Sequence, residues 1–435
     1  MSLQVDISIG EAIDKFSILE LKAKFIKDDL KLVEINKEIK ALDSCVIYKK
    51  KYAFFYKLLS YVNEEIWKNT DTIKKMTIDN TEFSKIANII FELNQCRFRV
   101  KNWFNILTSS NIKEQKSYIN THCNITVNDE INILNKIPEI NYILLQFDEV
   151  SFSTNNTSFI KNIFKNPNIV DIKRDNDVTY INLFDFSIGE HLINIFEFEP
   201  ISYISGGLLG DFIHQLSVIN ENFYKFGRKG LLYISNNVGD AFRFGIDKAY
   251  NDTYNIISKQ NYIKGYFIYN NEKYDINLSM WRESQLLYRA NWYTIFKHTY
   301  SIDWGKHKWL TVDTINDWTN KIVINYSKSR MDINIDYNRL LAIYGNSLIF
   351  VGFDDSDYKL FTIKLNNIDI KYYCPKSLEE LVNIISSCKL FIGGLSAPLA
   401  FAFSIHKKCI IDYHNSADSN HFIRLQDHLT CIENN

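Results

Sequence analysis

KLFIGGLSAPLAFAFSI (389–405) is the stretch whose reading decides the fold. A short β-prone run, KLFI, meets Gly393-Gly394, then the small-residue turn Leu395-Ser396-Ala397-Pro398, then an apolar run without charges. That order predicts a strand, a tight turn and a buried helix, with Ser396 as N-cap and Pro398 in the first helical turn. The helix-like SLEELVNIISS (377–387) precedes it and a strand, KCIID (408–412), follows. Further upstream KIVINYS (321–327), SLIFVG (347–352) and DIKYY (369–373) alternate with helical segments, which predicts a parallel α/β lobe.

A second series of the same kind begins at 201. ISYIS (201–205) reads as a strand, GGLLGD (206–211) as a glycine-rich turn and FIHQLSVINENF (212–223) as a helix. The strands GLLYIS (230–235) and GYFIYN (265–270) follow, then WRESQLLYRANWYTIFKH (281–298), read as one helix. Two consecutive series, joined by a hinge-like stretch over 311–320, predict two Rossmann-like lobes, 200–318 and 319–435, facing each other across a cleft. The fold class expected is α/β, with further modules at the N-terminus.

The first of these, 1–120, reads as helix. Ser8 and Glu11 have capping-box spacing. Phe16, Leu19, Ala23, Ile26, Leu30 and Val33 then form one apolar seam. Tyr52, Phe55, Leu59, Val62 and Ile66 form a second, and Phe83 to Leu107 a third. The reading is a three-helix hairpin or bundle, its stripes used as core. Residues 121–199, with the β-rich NYILLQFDEV (141–150) and Pro138 and Pro167 as punctuation, read as a small mixed α/β connector.

Composition narrows the function classes. The chain has 435 residues, 46% of them hydrophobic, and its 50 basic and 51 acidic residues leave a formal charge of −1. No basic block points to nucleic acid. Seven cysteines without a C-x-x-C pair fit neither a disulfide framework nor a zinc ribbon, and suggest a reducing compartment. The N-terminal segment lacks a signal-peptide apolar run, and no stretch approaches a membrane span, so a cytoplasmic protein is expected.

Ligands of open α/β sheets bind beyond the carboxyl ends of the strands, which directs attention to three turns. In GGLLGD the glycines allow close backbone approach, but the spacing is not G-x-G-x-x-G and a nicotinamide cofactor is not expected. Asp211 reads either as a carboxylate favoured at a helix start or as a general base in the cleft. His214, one turn on, reads as its support, as an acceptor contact or as a packed core residue. Ser327-Lys328-Ser329-Arg330 suits a diphosphate or an ordinary solvated loop. The late turn offers free N–H groups to a phosphate, or is simply a capped junction. Asp355 and Asp357 make a formal D-x-D within a run of acids that fits a helix start, so no metal is expected. Trp281, Trp292 and Trp304 are read as core rather than as sugar-stacking rings.

GGLLGD (206–211) together with FIGGLSAPLAFAFSIHKKCIID (391–412) resembles the heptosyltransferase-like glycosyltransferases of family 9, which have the GT-B fold. The resemblance covers about 200–415. It implies an acceptor lobe with Asp211 as base and Gly207, Gly210 and His214 on the acceptor side. It also implies a nucleotide-sugar lobe with the phosphates over Gly393, Gly394, Ser396 and Ala397, near Ser327, Lys328 and Arg330. The expected reaction is metal-independent, inverting transfer of a sugar from a nucleoside-diphosphate sugar to a hydroxyl acceptor. Family members commonly carry an Asp early in the late turn and a His inside it. Leu395 and Ala400 stand there instead, so the family's usual donor, ADP-heptose, does not carry over.

VDISIGEAIDKFSILELKAK (5–24), ELNQCRFRVKNWFN (92–105) and KEQKSY (113–118) resemble a helical family of unknown function found in bacteria, sometimes alongside glycosyltransferases. The arrangement and the Asn-, Ile-, Lys- and Tyr-rich usage also resemble proteins of giant DNA viruses, which would place the chain in a host cytoplasm. Two other functions fit: a non-catalytic GT-B-fold scaffold binding partners, or a second copy, through the helical domain, and a sugar-nucleotide-modifying enzyme such as an epimerase.

Overall fold

A computed structural model describes residues 5–77, 81–113, 120–154, 156–171 and 177–413, and the backbone of 429–433. The chain divides into two units, 1–199 and 200–435.

In the first unit, Ser8 caps α1 (Ile9–Phe25), its hydroxyl accepting from the Glu11 N–H at 3.1 Å. Glu11 does not close a reciprocal box; its carboxylate pairs with Lys101 at 2.5 Å. The remaining helices are α2 (Asp29–Ala41), a short α3 (Val46–Lys51), α4 (Ala53–Ile73) and α5 (Thr81–Leu107). The first apolar seam is therefore two helices, not one. Ile26 is extended, Asp28 caps α2 by accepting from the Lys31 N–H, and Leu30 and Val33 are exposed. The core that remains joins Ile13 and Phe16 of α1 to Phe55, Leu59 and Val62 of α4 and to Val100 and Trp103 of α5. Gly10 permits the tightest approach: a Cβ there would lie 2.3 Å from the Lys101 carbonyl oxygen. Asp14, fully buried on α1, receives Arg97 (2.5 Å) and Asn63 (2.9 Å), which compensates a charge too costly to bury alone.

The rest of this unit is a three-stranded parallel sheet, order β2-β1-β3, of β1 (His122–Thr126), β2 (Glu149–Ser153) and β3 (Val178–Asn182). It carries α6 (Glu130–Asn135), α7 (Ile137–Gln146), α8 (Thr157–Phe164) and α9 (Glu190–Phe196). Leu145 of α7 and Phe196 of α9 join the core of the helices. Residues 114–118 of the KEQKSY motif and 172–176 of the connector lie outside the described residues.

The second unit contains two lobes. The first has β4 (Ile201–Ser205), α10 (Leu209–Phe226), β5 (Gly230–Ile234), α11 (Ile246–Ile257), β6 (Ile263–Ile268), β7 (Ile276–Asn277) and α12 (Trp292–Tyr300). Its strands are all parallel in the order β6-β5-β4-β7. The segment 281–298 is not one helix. Met280–Glu283 is a short 3-10 turn, Tyr288 takes a left-handed φ of 60°, and Asn291 caps α12.

The second lobe has β8 (Ile322–Asn325), α13 (Tyr337–Tyr344), β9 (Leu348–Val351), α14 (Asp355–Lys364), β10 (Lys371–Tyr373), α15 (Leu378–Ser387), β11 (Leu390–Gly393), α16 (Ala397–Ser404), β12 (Cys409–Tyr413) and β13 (Leu429–Glu433). Its parallel order, β10-β9-β8-β11-β12-β13, is the 3-2-1-4-5-6 order of a doubly wound nucleotide-binding sheet. The unit is thus two Rossmann-like lobes of GT-B type. In each, the strand order reverses beside the first strand: between β4 and β7, and between β8 and β11. Such reversals open the crevice in which ligands of these sheets sit. No described helix is long and apolar enough to cross a membrane.

Candidate active site

The first reversal is built by the turn after β4. Gly206 is packed so tightly that a Cβ would lie 2.0 Å from the Val238 carbonyl oxygen, and its N–H donates to Ser279 Oγ at 3.3 Å. Gly207 has φ +112°, a conformation that side chains resist. A Cβ there would come within 3.4 Å of the Arg282 guanidinium. α10 then begins without a side-chain cap, and Asp211 stands in its first turn.

Arg282, just beyond β7, completes this crevice. One of its terminal nitrogens lies 2.5 Å from Asp211 Oδ2 and the other 2.7 Å from Asp240, while the guanidinium rests 4.6 Å over the Trp281 ring. Burial raises the Asp211 carboxyl above its ordinary value; Arg282 and Arg330 pull it down and Asp240 pushes it up. Oδ1 of Asp211 receives no hydrogen bond from a described residue, so one lone-pair face stays available in a side chain 22% exposed.

His214 is 1% exposed, its ring 5.1 Å from Trp292, 5.4 Å from Trp304 and 5.7 Å from Phe403. It borders the cleft from within an aromatic cluster, the core position weighed for it. Trp281, Trp292 and Trp304 are buried in the same cluster.

The second reversal gathers two turns. After β8, Lys328–Arg330 winds into a 3-10 turn whose Lys328 N–H donates to Asp357 Oδ1 at 2.7 Å. Lys328 Nζ lies 3.7 Å from Asp354, and Arg330 donates to the Leu395 carbonyl at 3.0 Å, tying the two turns together. Ser327 and Ser329 share a hydroxyl contact at 3.3 Å. After β11, Gly393 and Gly394 lie against backbone: a Cβ would come within 2.5 Å of the Asn325 carbonyl oxygen or 2.8 Å of that of Arg330. Ser396 occupies the N-cap position of α16, but its hydroxyl turns to Asn325 Oδ1 at 3.3 Å and makes no capping bond. In the first turn of α16 Pro398 has no N–H and the Leu399 N–H donates to the Ser396 carbonyl at 3.0 Å, which leaves the Ala397 N–H available to an anion. Leu395 and Ala400 are buried. The acidic run works as a helix start: Asp354 caps α14, and Asp355 pairs with Lys359.

One cleft of about 560 Å³ receives both reversals. Gly210, Asp211, His214, Ser327, Lys328, Arg330, Ser396 and Ala397 line it; Gly207, Gly393 and Gly394 lie behind its wall and shape the turns. The sequence reading missed the cleft residues Arg243, Lys248, Asp252, Thr253 and Asn325, and with them Arg282, which pairs with Asp211 and Asp240. A two-residue β7 gives almost no periodic signal, and Arg282 was absorbed into an expected helix.

Residues 3–134, less than a third of the chain, match the model of a family of unknown function, DUF6165. The match includes the motifs quoted above up to Tyr118 and runs on into α6. No curated protein matches the chain significantly. Among solved structures, a glycosyl transferase family 9 protein of Veillonella parvula is similar at 12% identity and a TM-score of 0.38, over 55% of this chain and 88% of that one. The E. coli ADP-heptose LPS heptosyltransferase II is similar at 9% identity and a TM-score of 0.37, over 53% and 90%. E. coli heptosyltransferase WaaC with ADP-2-deoxy-2-fluoro heptose is similar at 9% identity and a TM-score of 0.32, over 54% and 93%. These are bacterial proteins, and a viral source draws no support from them.

Proposed function

We infer that the second unit transfers a sugar from a nucleoside-diphosphate sugar to a hydroxyl acceptor. The observation that carries this reading is that Asp211, Arg330 and Ser396, from three separate strand ends, line one cleft. In it, 200–318 is the acceptor lobe and 319–435 the nucleotide-sugar lobe, with Gly207, Gly210 and His214 shaping the acceptor side. Asp211 Oδ1 takes the proton of the acceptor hydroxyl, whose oxygen forms a bond to the anomeric carbon as the bond to the diphosphate breaks. The departing diphosphate is met by Ser327, Lys328, Arg330 and the free Ala397 N–H at the start of α16, beside Gly393, Gly394 and Ser396. Fixed cations and the positive end of α16 make the step independent of a metal. In-line attack inverts the anomeric carbon; an NMR assay finding retention would overturn that. The helical segment 1–120 then serves recruitment of a partner or a second copy, in the cytoplasm, and the connector 121–199 joins it to the lobes.

The deciding experiment is a thermal-shift screen against UDP, GDP, CDP, ADP and dTDP, with Arg330→Ala and Ser396→Ala beside the wild type. A nucleotide at about 100 times its Kd stabilises the folded state by about 2.7 kcal/mol. Stabilisation by one nucleotide in the wild type, weakened in both variants, supports a transferase. A folded protein that responds to none is the outcome expected of a non-catalytic scaffold. A sugar released without any acceptor would instead mark a sugar-nucleotide-modifying enzyme.

A further inference from the structure

The first lobe sends a loop, 236–245, over the cleft between β5 and α11. It is held at three places. Asp240 pairs with Arg282 at 2.7 Å, the Phe242 N–H donates to Asn236 Oδ1 at 3.3 Å, and the buried Phe242 ring packs edge-on against Phe212 at 5.6 Å. Gly239 and Gly245, with φ of +65° and +86°, bracket the segment, and nothing lies within 4 Å of a Cβ placed at Gly245. Between these anchors Arg243 and Phe244 are exposed, and both line the cleft.

The cations of the cleft differ in what already neutralises them. Lys248 pairs with Asp252 at 2.8 Å and Lys328 lies 3.7 Å from Asp354. Arg243 and Arg330 have no carboxylate partner among the described residues; Arg330 holds a carbonyl, and Arg243 lies 5.4 Å over the ring of its neighbour Phe244. One unneutralised guanidinium thus comes from each lobe. Burial raises the carboxyl of Asp357 in the second lobe above its ordinary value, and Arg243 is among the charges that oppose this. Asp357 holds the Lys328 N–H, and Arg243 lines the same cleft as Asp357 and the turn assigned to the diphosphate.

We propose that Arg243 is a first-lobe ligand of the donor's diphosphate, joining Arg330 from the second lobe on the same anion. This rests on the transferase reading and deepens it. A guanidinium presents paired donors that match phosphate oxygens. Because the loop is latched through Asp240 and Arg282 to Asp211, capture of the donor in one lobe bears directly on the base in the other.

The test is calorimetric titration with whichever of the five nucleoside diphosphates stabilises the wild type, and with the matching nucleoside. Arg243 is exposed, so Arg243→Ala is expected to fold, which its melting temperature checks. It should weaken the diphosphate roughly tenfold while leaving the nucleoside unchanged, and Arg243→Lys should recover part of the loss. Lys248→Ala, which removes a cation already paired on the same side, should leave both affinities as they are. Equal diphosphate affinity in wild type and Arg243→Ala overturns the inference and leaves the transferase reading standing. Equal losses in Arg243→Ala and Lys248→Ala overturn it as well, because they reflect only the general field of the cleft. Failure of the wild type to bind any of the five nucleotides removes the transferase reading and the inference with it.

Discussion

The two glycine-rich turns that border the cleft of the second unit are spelled Gly-Gly-Leu, at 206–208 and at 393–395, and they prepare opposite electrostatic environments. In the first, the glycines admit the Val238 carbonyl and the Arg282 guanidinium, and the helix that follows carries its own anion, Asp211, in the first turn. In the second, the glycines admit the Asn325 and Arg330 carbonyls, and the helix begins with Ser396, Ala397 and Pro398, leaving its positive end without a resident carboxylate. On the proposed reading the same three letters serve a proton acceptor in one lobe and an anion receptor in the other. Glycine sets how closely backbones approach; the next few side chains set the sign of the site.

The largest expected effect comes from neutralising the resident anion of the first turn. Asp211→Asn should lower the transfer rate about 10²–10⁴-fold, measured as kcat, with nucleotide affinity unchanged. Next in size is the packing beneath that turn. Gly206→Ala places a Cβ 2.0 Å from a backbone oxygen that cannot swing aside and should cost about 1–3 kcal/mol in urea unfolding. Gly210→Ala meets only ordinary contact with Ala397, at 3.5 Å, and should stay within about 0.5 kcal/mol of wild type. Ser396→Asp would give the second turn the sign of the first. It should cap α16 and keep or raise Tm while weakening a nucleoside diphosphate at least about tenfold by titration.

The smallest effect is a pH dependence of stability. Burial raises the Asp211 carboxyl, so the folded state binds its proton more readily than the unfolded chain does. Its ionisation therefore subtracts stability above the folded pKa and nothing below the unfolded value near 3.8. Asp211→Asn should melt higher than wild type at neutral pH, with the gap closing as pH falls toward about 4.

The strand–turn–helix order of both lobes was legible because apolar runs, glycines and helix-start residues agree at each junction. KLFIGGLSAP could hardly be read otherwise. Arg282 was not legible, since its register depends on β7, and that strand is specified by pairing with β4 rather than by its own two residues. The break between α1 and α2 was hidden for a related reason. Steps of three and four continue through Ile26 and Leu30, and only the cap at Asp28 marks the interruption. His214 shows the converse: a titratable residue beside a cleft whose place is decided by the tryptophans around it, which lie far off in sequence.

Those tryptophans have a practical consequence. Trp304 lies 6.2 Å from Phe403, Trp309 lies 6.3 Å from His406, and the Trp309 N–H donates to the Ser404 carbonyl, each contact running from the first lobe to the second. Trp281, 4.5 Å from Trp292, lies under the Arg282 guanidinium that pairs with Asp211. Two of the seven indoles, Trp304 and Trp309, therefore sit where a rotation of one lobe against the other changes their surroundings. The protein contains its own optical reporter, and its intrinsic emission registers lobe movement without a label.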